Sequence, residues 1–319
     1  MGRQHYRLDA EREEVDDQLI RSVDLQKVIM LPRMPGVKSA VFTRRITAYH
    51  ETFASVGKKS PFKKNTVSVI WHEGIAGKTA AEVASAYVIA LHQERDVRHV
   101  IYWVDNCSAQ NKNWVLLTTL VKLVNNTTNN IQDITLKYVE AGHIFMSADS
   151  FHHGVEKAMR KQPGGVVLDF QDFRDVIASS NSGKVNVIEL QCNNILAWNN
   201  GRSVTKVKNV TNLPRMTVIQ MRRGSRCMFY KLSHDEEEFT QCGFLMKKVT
   251  LEYFGQLRPG DKGIEREMKM DIISKLCPMM HPNRRHFWEN LAEEEKKYAL
   301  CRARCSQQER FLLHNNSTL

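Results

Sequence analysis

The chain lacks any run of about 18 apolar residues, the length a helix needs to cross a bilayer. It also lacks a secretory signal, since MGRQHYRLDAEREEVDD at its start is charged throughout. Neither an internal repeat nor a low-complexity tract is present, which argues against repeat architectures and tethers. The 7 cysteines are odd in number and scattered, so no disulfide framework is expected. These absences predict an intracellular protein, nuclear or cytoplasmic, with reduced thiols, neither secreted nor in a membrane. The sequons at Asn106, Asn125, Asn126, Asn209, Asn315 and Asn316 are then chance matches.

What is present bounds the rest. The 319 residues are 42% apolar, enough for a sizeable core. The 46 Lys and Arg exceed the 35 Asp and Glu, giving a net charge of +11. That surplus suits a polyanion, with nucleic acid the first candidate.

Residues 8–18 are acidic and polar and predict a solvated helix. Stretches rich in β-branched and aromatic residues predict strands at 19–31, 39–53, 65–73, 98–105 and 134–143. Alanine-rich or apolar-periodic stretches predict helices at 77–94, 111–124 and 147–161, the last with Ser147 as N-cap. Three leading strands followed by strand–helix alternation predict an antiparallel meander joined to parallel crossovers. Residues 164–319 read as short strands and broken helices, a carboxyl-terminal extension with no clean linker before it.

Within this order VDNCSAQNKNW (104–114) stands out: an apolar strand runs straight into Asp105, then into small polar residues. A buried strand end is a costly place for an acid unless something pairs with it. Asp24 lies inside the first strand and Asp149 opens the third helix. Taken singly, each aspartate is an ordinary strand-edge or cap residue. In a ribonuclease-H-like sheet, however, the first and fourth strands are adjacent and parallel, and the last helix lies over them. Three converging carboxylates repel and raise one another's pKa, and divalent cations relieve that conflict.

The segments DLQKVIMLPRMPGVKSAVFTRRITAYH, VDNCSAQNKNW and AGHIFMSADSFHHGVEKAM resemble, in this order, the motifs of an uncharacterised family of transposon-derived animal genes. The resemblance spans about residues 20–180, and the central motif is its most distinctive part. It departs at His50, where the family favours Asn, and at Ile144, where it favours Thr. Such genes carry more sequence before the first motif, so target recognition is expected to lie outside this chain. The resemblance implies an α/β protein with a ribonuclease-H-like, five-stranded mixed sheet flanked by helices, over 19–163. A helical lead-in (1–18) precedes it and an α+β extension (164–319) follows. It implies a divalent-metal-dependent polynucleotidyl transferase or nuclease acting on DNA. Mg2+ or Mn2+ would be held by Asp24, Asp105 and Asp149, and the protein would form a homo-oligomer.

The third acid has a rival. A Gly142-His143 turn followed by an acid favours Asp149, whereas transposases with a helical glutamate favour Glu156, two turns along. Lys63, Lys64, Asn111, Lys112 and His152 are the candidate nucleic-acid contacts; Asn111 could instead donate to Asp105. Arg44, Arg45, Lys58 and Lys59 extend the basic face. Glu82 reads as an exposed helix residue, although it stands near the place of ribonuclease H's helical glutamate. Cys107 lacks a partnered base and reads as a packing residue.

Two other classes compete. Cys277, His281, Cys301 and Cys305 form two pairs of tetrahedral zinc ligands, but their spacing matches no standard finger. A domesticated DNA-binding or scaffold protein would keep the fold and lose the chemistry.

Overall fold

Valine, isoleucine and aromatic side chains fill the strands at the centre of the molecule, and alanine and leucine fill the helices laid on them. The computed structural model describes residues 2–12, 17–57, 65–139, 145–196, 208, 210, 212–251 and 257–294. The first half runs α1 (Gly2–Glu11), β1 (Gln18–Leu25), β2 (Ile29–Leu31), α2 (Lys38–Phe42), β3 (Ile46–Ser55), β4 (Thr66–His72) and α3 (Ala80–Leu91). Next come β5 (His99–Val104), α4 (Trp114–Val124), β6 (Asp133–Tyr138), α5 (Ser147–Lys161), α6 (Phe170–Ser179) and β7 (Val185–Glu189). The last are β8 (Val218–Arg222), β9 (Met228–Lys231), β10 (Thr240–Cys242), α7 (Arg266–Lys275) and α8 (Pro282–Asn290). No helix among the described residues is long and apolar enough to cross a membrane.

One mixed sheet of ten strands results, in the order β10-β9-β8-β6-β5-β1-β3-β4-β7, with β2 added to β3. β1, β3 and β4 are antiparallel neighbours, and β1 is parallel to β5, as the sequence predicts for the first three and for the first and fourth strands. The sheet is larger than the five strands expected. β7 joins β4, and β8–β10 extend from β6, so residues beyond 164 complete the core sheet rather than append to it. The physical reason lies in β4, all seven of whose residues are buried. An apolar strand of this kind cannot be left as an open edge.

The two faces carry separate cores. Leu19, Val23 and Leu25 of β1 pack with Val83, Tyr87, Leu116 and Leu120 of α3 and α4. On the other face Ile29, Ala48 and Ile70 pack with Phe151 and Val155 of α5 and Phe173 of α6.

Three predicted elements are corrected. The strand expected over 19–31 is two, β1 and β2, both paired with β3. The register Leu25↔Glu51 becomes Ile29↔Ala48, so the β1–β2 side carries one extra residue, a bulge. The strand expected from 39 begins only at Ile46, after the short helix α2. β2 stops at Leu31, and Pro32 has no N–H to continue the ladder, so residues 39–45 have no strand to pair with. The solvated helix expected over 8–18 is α1, which docks on the sheet through the buried Asp9. That carboxylate accepts from Trp103 Nε1 at 2.9 Å and from Lys137 Nζ at 2.5 Å.

Removing one partner of a buried ion pair strands the other. Asp9→Ala is therefore expected to lower the unfolding free energy by about 3 kcal/mol, measured by urea denaturation. An unchanged midpoint would show that α1 contributes nothing to the core.

Candidate functional site

The site begins with two polar side chains in the apolar strand β1. Residues i and i+2 of a strand face the same way, so Ser22 and Asp24 share the face covered by α5. Ser22 Oγ accepts the backbone N–H of Ala148 at 2.8 Å, which pins the first turn of α5 onto β1. Asp149, the next residue, is thereby carried toward Asp24. Met146, not Ser147, is the N-cap of α5; the Ser147 amide instead donates to the Tyr6 hydroxyl at 2.9 Å.

β5 supplies the third acid. Its parallel register matches Val23 with Val104, so Asp24 and Asp105 follow at the same level on adjacent strands. Asp105 Oδ1 accepts from Asn111 Nδ2 at 2.6 Å and from the Cys107 amide at 3.2 Å. Asn111 is itself held: its Oδ1 accepts from the Tyr87 hydroxyl at 2.9 Å and its carbonyl from the Tyr138 hydroxyl at 2.8 Å. The polar stretch after β5 thus folds back to orient the acid that precedes it.

The carboxylates act on one another. Burial raises the pKa of Asp105, its bonds from Asn111 and Cys107 pull it down, and the charges of Asp24 and Asp149 push it up again. Asp149 is raised by burial and by Asp24, against the Met146 amide, which donates to its Oδ2 at 2.8 Å. Glu51 of β3 is raised well above the usual range, first by complete burial and then by Asp24 and Asp105.

A hydrogen-bonded chain approaches Asp24 through the α5 face. His152 Nδ1 stands 3.4 Å from Asp24 Oδ2, and its Nε2 lies 2.9 Å from Thr52 Oγ1. Thr52 Oγ1 is also 2.9 Å from His50 Nε2, and His50 Nδ1 is 2.7 Å from Gln26 Oε1. Burial and the nearby His152 hold the His50 pKa well below its ordinary value. Neutral His50 therefore donates from Nδ1 to the Gln26 carbonyl oxygen and accepts at Nε2.

Of the residues singled out in the sequence, Asp24, Asp105, Asp149 and His152 are brought together. Glu156 is not: it is 43% exposed and pairs with Arg160 at 3.7 Å. Three of the candidate nucleic-acid contacts are buried and turned inward. Asn111 is fully buried on Asp105 and Tyr87. Lys112 donates to Asn106 Oδ1 at 2.6 Å and to the Pro214 carbonyl at 3.0 Å, and desolvation lowers its pKa to about 8. His152 is buried between Thr52 and Asp24. Glu82, expected to be exposed, is wholly buried; it caps α3 through the Thr79 amide at 2.7 Å and pairs with Arg258. Arg44 pairs with Glu265 and Arg45 donates to the Pro32 carbonyl. Lys58, Lys59, Lys63, Lys64, Gly142 and His143 lie outside the described residues. So do Cys301 and Cys305, half of the zinc set; Cys277 is buried after α7.

Sequence reasoning missed Ser22, Glu51 and Thr52. The available signal was alternation: Glu51 falls between Tyr49 and Phe53 on the same inward face of β3. Among the described residues, no group of three or more His, Cys, Asp or Glu is arranged as a ready metal cage. Comparison with protein-family models, curated proteins and solved structures found no match to this chain.

The raised acids predict a pH dependence. A carboxyl whose folded pKa lies above its unfolded one favours folding while protonated, and that advantage disappears as pH rises through the folded value. Asp105→Asn keeps the acceptor for Asn111 and removes the charge. In EDTA it should be more stable than wild type near pH 7, with the difference shrinking toward pH 4, where model carboxylates titrate. Urea midpoints across that range check it, and a pH-independent difference would contradict the mutual repulsion.

Proposed function

We propose that this protein is a ribonuclease-H-like, transposase-derived enzyme that cleaves or transfers DNA phosphodiester bonds with Mg2+ or Mn2+. The observation that carries the reading is the level placement of Asp24 and Asp105 on adjacent parallel strands, with Asp149 pinned beside them through Ser22. The strand order β4-β3-β1-β5-β6, antiparallel up to β1 and parallel after it, supports the fold part of the proposal.

The chemistry of the donor set suits a hard divalent cation, although the three side chains are not arranged as a ready cage. The set is all oxygen, and Asp24 keeps 20% of its side chain open to solvent. Besides burial, the charge of Asp24 raises the pKa of both Asp105 and Asp149, a conflict that a cation relieves. Asp24, Asp105 and Asp149 would hold the metal. Bound ions of this kind polarise a phosphoryl oxygen and activate the attacking water or hydroxyl. The protein's own part is orientation: Asn111 fixes Asp105, and His152, backed by Thr52, fixes Asp24. The net charge of +11 suits the phosphate backbone of the substrate.

A DNA-binding or scaffold protein without chemistry is the second reading. What favours it is that Asp149 already spends Oδ2 on the Met146 amide, as an ordinary helix cap does.

Nicking of supercoiled DNA in Mg2+ or Mn2+ separates the two. Asp105→Asn is expected to cut the rate at least about a hundredfold, since metal-borne stabilisation is worth several kcal/mol. Glu156→Gln should stay near wild type. Equal cleavage by Asp105→Asn would sink the enzyme reading, and salt-sensitive DNA binding without metal-dependent cleavage would favour the scaffold.

A further inference from the structure

We propose that the cavity at the carboxyl ends of β4 and β7 takes one unpaired nucleobase; this rests on the nucleic-acid partner of the reading above and not on its cleavage chemistry.

The cavity measures about 320 Å³ and is walled by His72 of β4, Glu189 of β7, Phe170 of α6, and Phe287 and Asn290 of α8. β3 is antiparallel to both β1 and β4, so β4 runs parallel to β1, and β7 runs parallel to β4. The carboxyl ends of β1, β5, β4 and β7 therefore share one edge of the sheet, the edge that carries Asp24 and Asp105. The register carries the face across as well. Asp24 stands opposite Thr52, and Thr52 opposite Ser68, four residues before His72. Alternation then puts His72 on the face of Asp24. Four residues along and two strands across place the two positions about 16 Å apart. A stacked strand rises about 3.4 Å per nucleotide, so a few nucleotides span that gap.

His72 gives the cavity a fixed donor. It is 7% exposed, and its Nδ1 accepts the Gly74 amide at 3.2 Å. Burial lowers its pKa to about 4, so the ring is neutral and its one proton sits on Nε2. That nitrogen has no partner among the described residues, although buried donors are almost always paired. Edge-to-face contacts with Phe170 at 4.8 Å and Phe287 at 5.7 Å hold the ring plane. Asn290 supplies an acceptor. Its Nδ2 is spent on the His286 ring and carbonyl, at 2.9 and 2.7 Å, which leaves Oδ1 open.

Charge selects which part of a nucleotide enters. Among the described residues the lining includes Glu189 and Asp261 and no Lys or Arg. A phosphate finds no counter-charge there, whereas the exocyclic amine of a base finds acceptors. The phenyl rings offer apolar faces for a flat aromatic ligand. The volume lies near the lower end of small-ligand pockets, about 300 Å³, which suits a base. A base must be unpaired to present its edge to such a pocket.

The test is fluorescence anisotropy of the full chain in EDTA, where cleavage plays no part. The probes are a labelled single DNA strand of about 12 nucleotides and the same strand made wholly abasic. Stacking one base is worth about fivefold or more in affinity, so the wild type should prefer the base-bearing strand by at least that much. His72→Asn keeps an acceptor for the Gly74 amide and deletes the Nε2 donor. Phe287→Leu keeps the bulk and removes a stacking face, and it covers the case in which the His72 variant does not fold. Each should remove most of the preference, while affinity for the abasic strand and its salt dependence stay at wild-type values. Titration with adenosine and cytidine identifies the source of the base. Saturable nucleoside binding that either variant abolishes, without a preference for the base-bearing strand, keeps the proposal and assigns the base to a free nucleoside. Equal affinity for the two strands with no nucleoside binding, or a preference that both variants retain, overturns it. Absence of metal-dependent cleavage with the base preference intact removes the enzyme reading alone.

Discussion

The parallel pairing of β1 with β5 is the constraint on which the rest depends. Its register sets Val23 against Val104 and so brings two aspartates, 81 positions apart in the chain (105 − 24), to one level of the sheet. The side-chain period of a strand is two, so a slip of one residue would turn Asp24 toward α3 and α4, into the apolar core. Leu19, Val23 and Leu25 on that face prevent the slip, because it would take them out of the core they form with α3 and α4. Hydrophobic burial thus holds a polar site in place.

Around that pairing the protein builds its polar interior in two connected halves. On one face the Tyr87 hydroxyl, Asn111 and Asp105 form a chain ending in an oriented carboxylate. On the other, Gln26, His50, Thr52 and His152 form a chain ending at Asp24. Networks of this kind are rigid when satisfied and costly where they are not. Among the described residues Glu51, on the strand next to β1, is buried with both carboxylate oxygens unpaired. The repulsion stored among these acids is the cost of bringing like charges together without a counter-ion.

The bulge between β1 and β2 belongs to the same design. It lets the chain pair with β3 twice, and it places Gln26 so that its amide donates to the His50 carbonyl at 2.9 Å while its side chain meets the His50 ring. The sequence hides this, because DLQKVIML has no glycine or proline to mark a break. Likewise the apolar SAVF at 39–42 has strand-like composition but forms α2, since whether it pairs depends on a neighbour that Pro32 removes.

By itself, the sequence determined what depends on local period and composition: β3–β6, α3–α5, and the presence of acids at a strand, a strand end and a helix start. Periodicity is a property of neighbouring residues and survives without knowledge of the fold. Tertiary structure decided what depends on which residues meet. Asn111 reads equally well as a phosphate contact or as a donor to Asp105, and only the fold buries it and Lys112 and hands each an internal partner. Glu82 and Asp9 read as solvated charges until Arg258 and Lys137 came to face them across long stretches of chain. Glu51 read as one polar residue in a strand, and among the described residues it is buried by the fold with both oxygens unpaired and two other acids acting on it. Burial and charge pairing are set by residues distant in sequence, which is why no local pattern carries them.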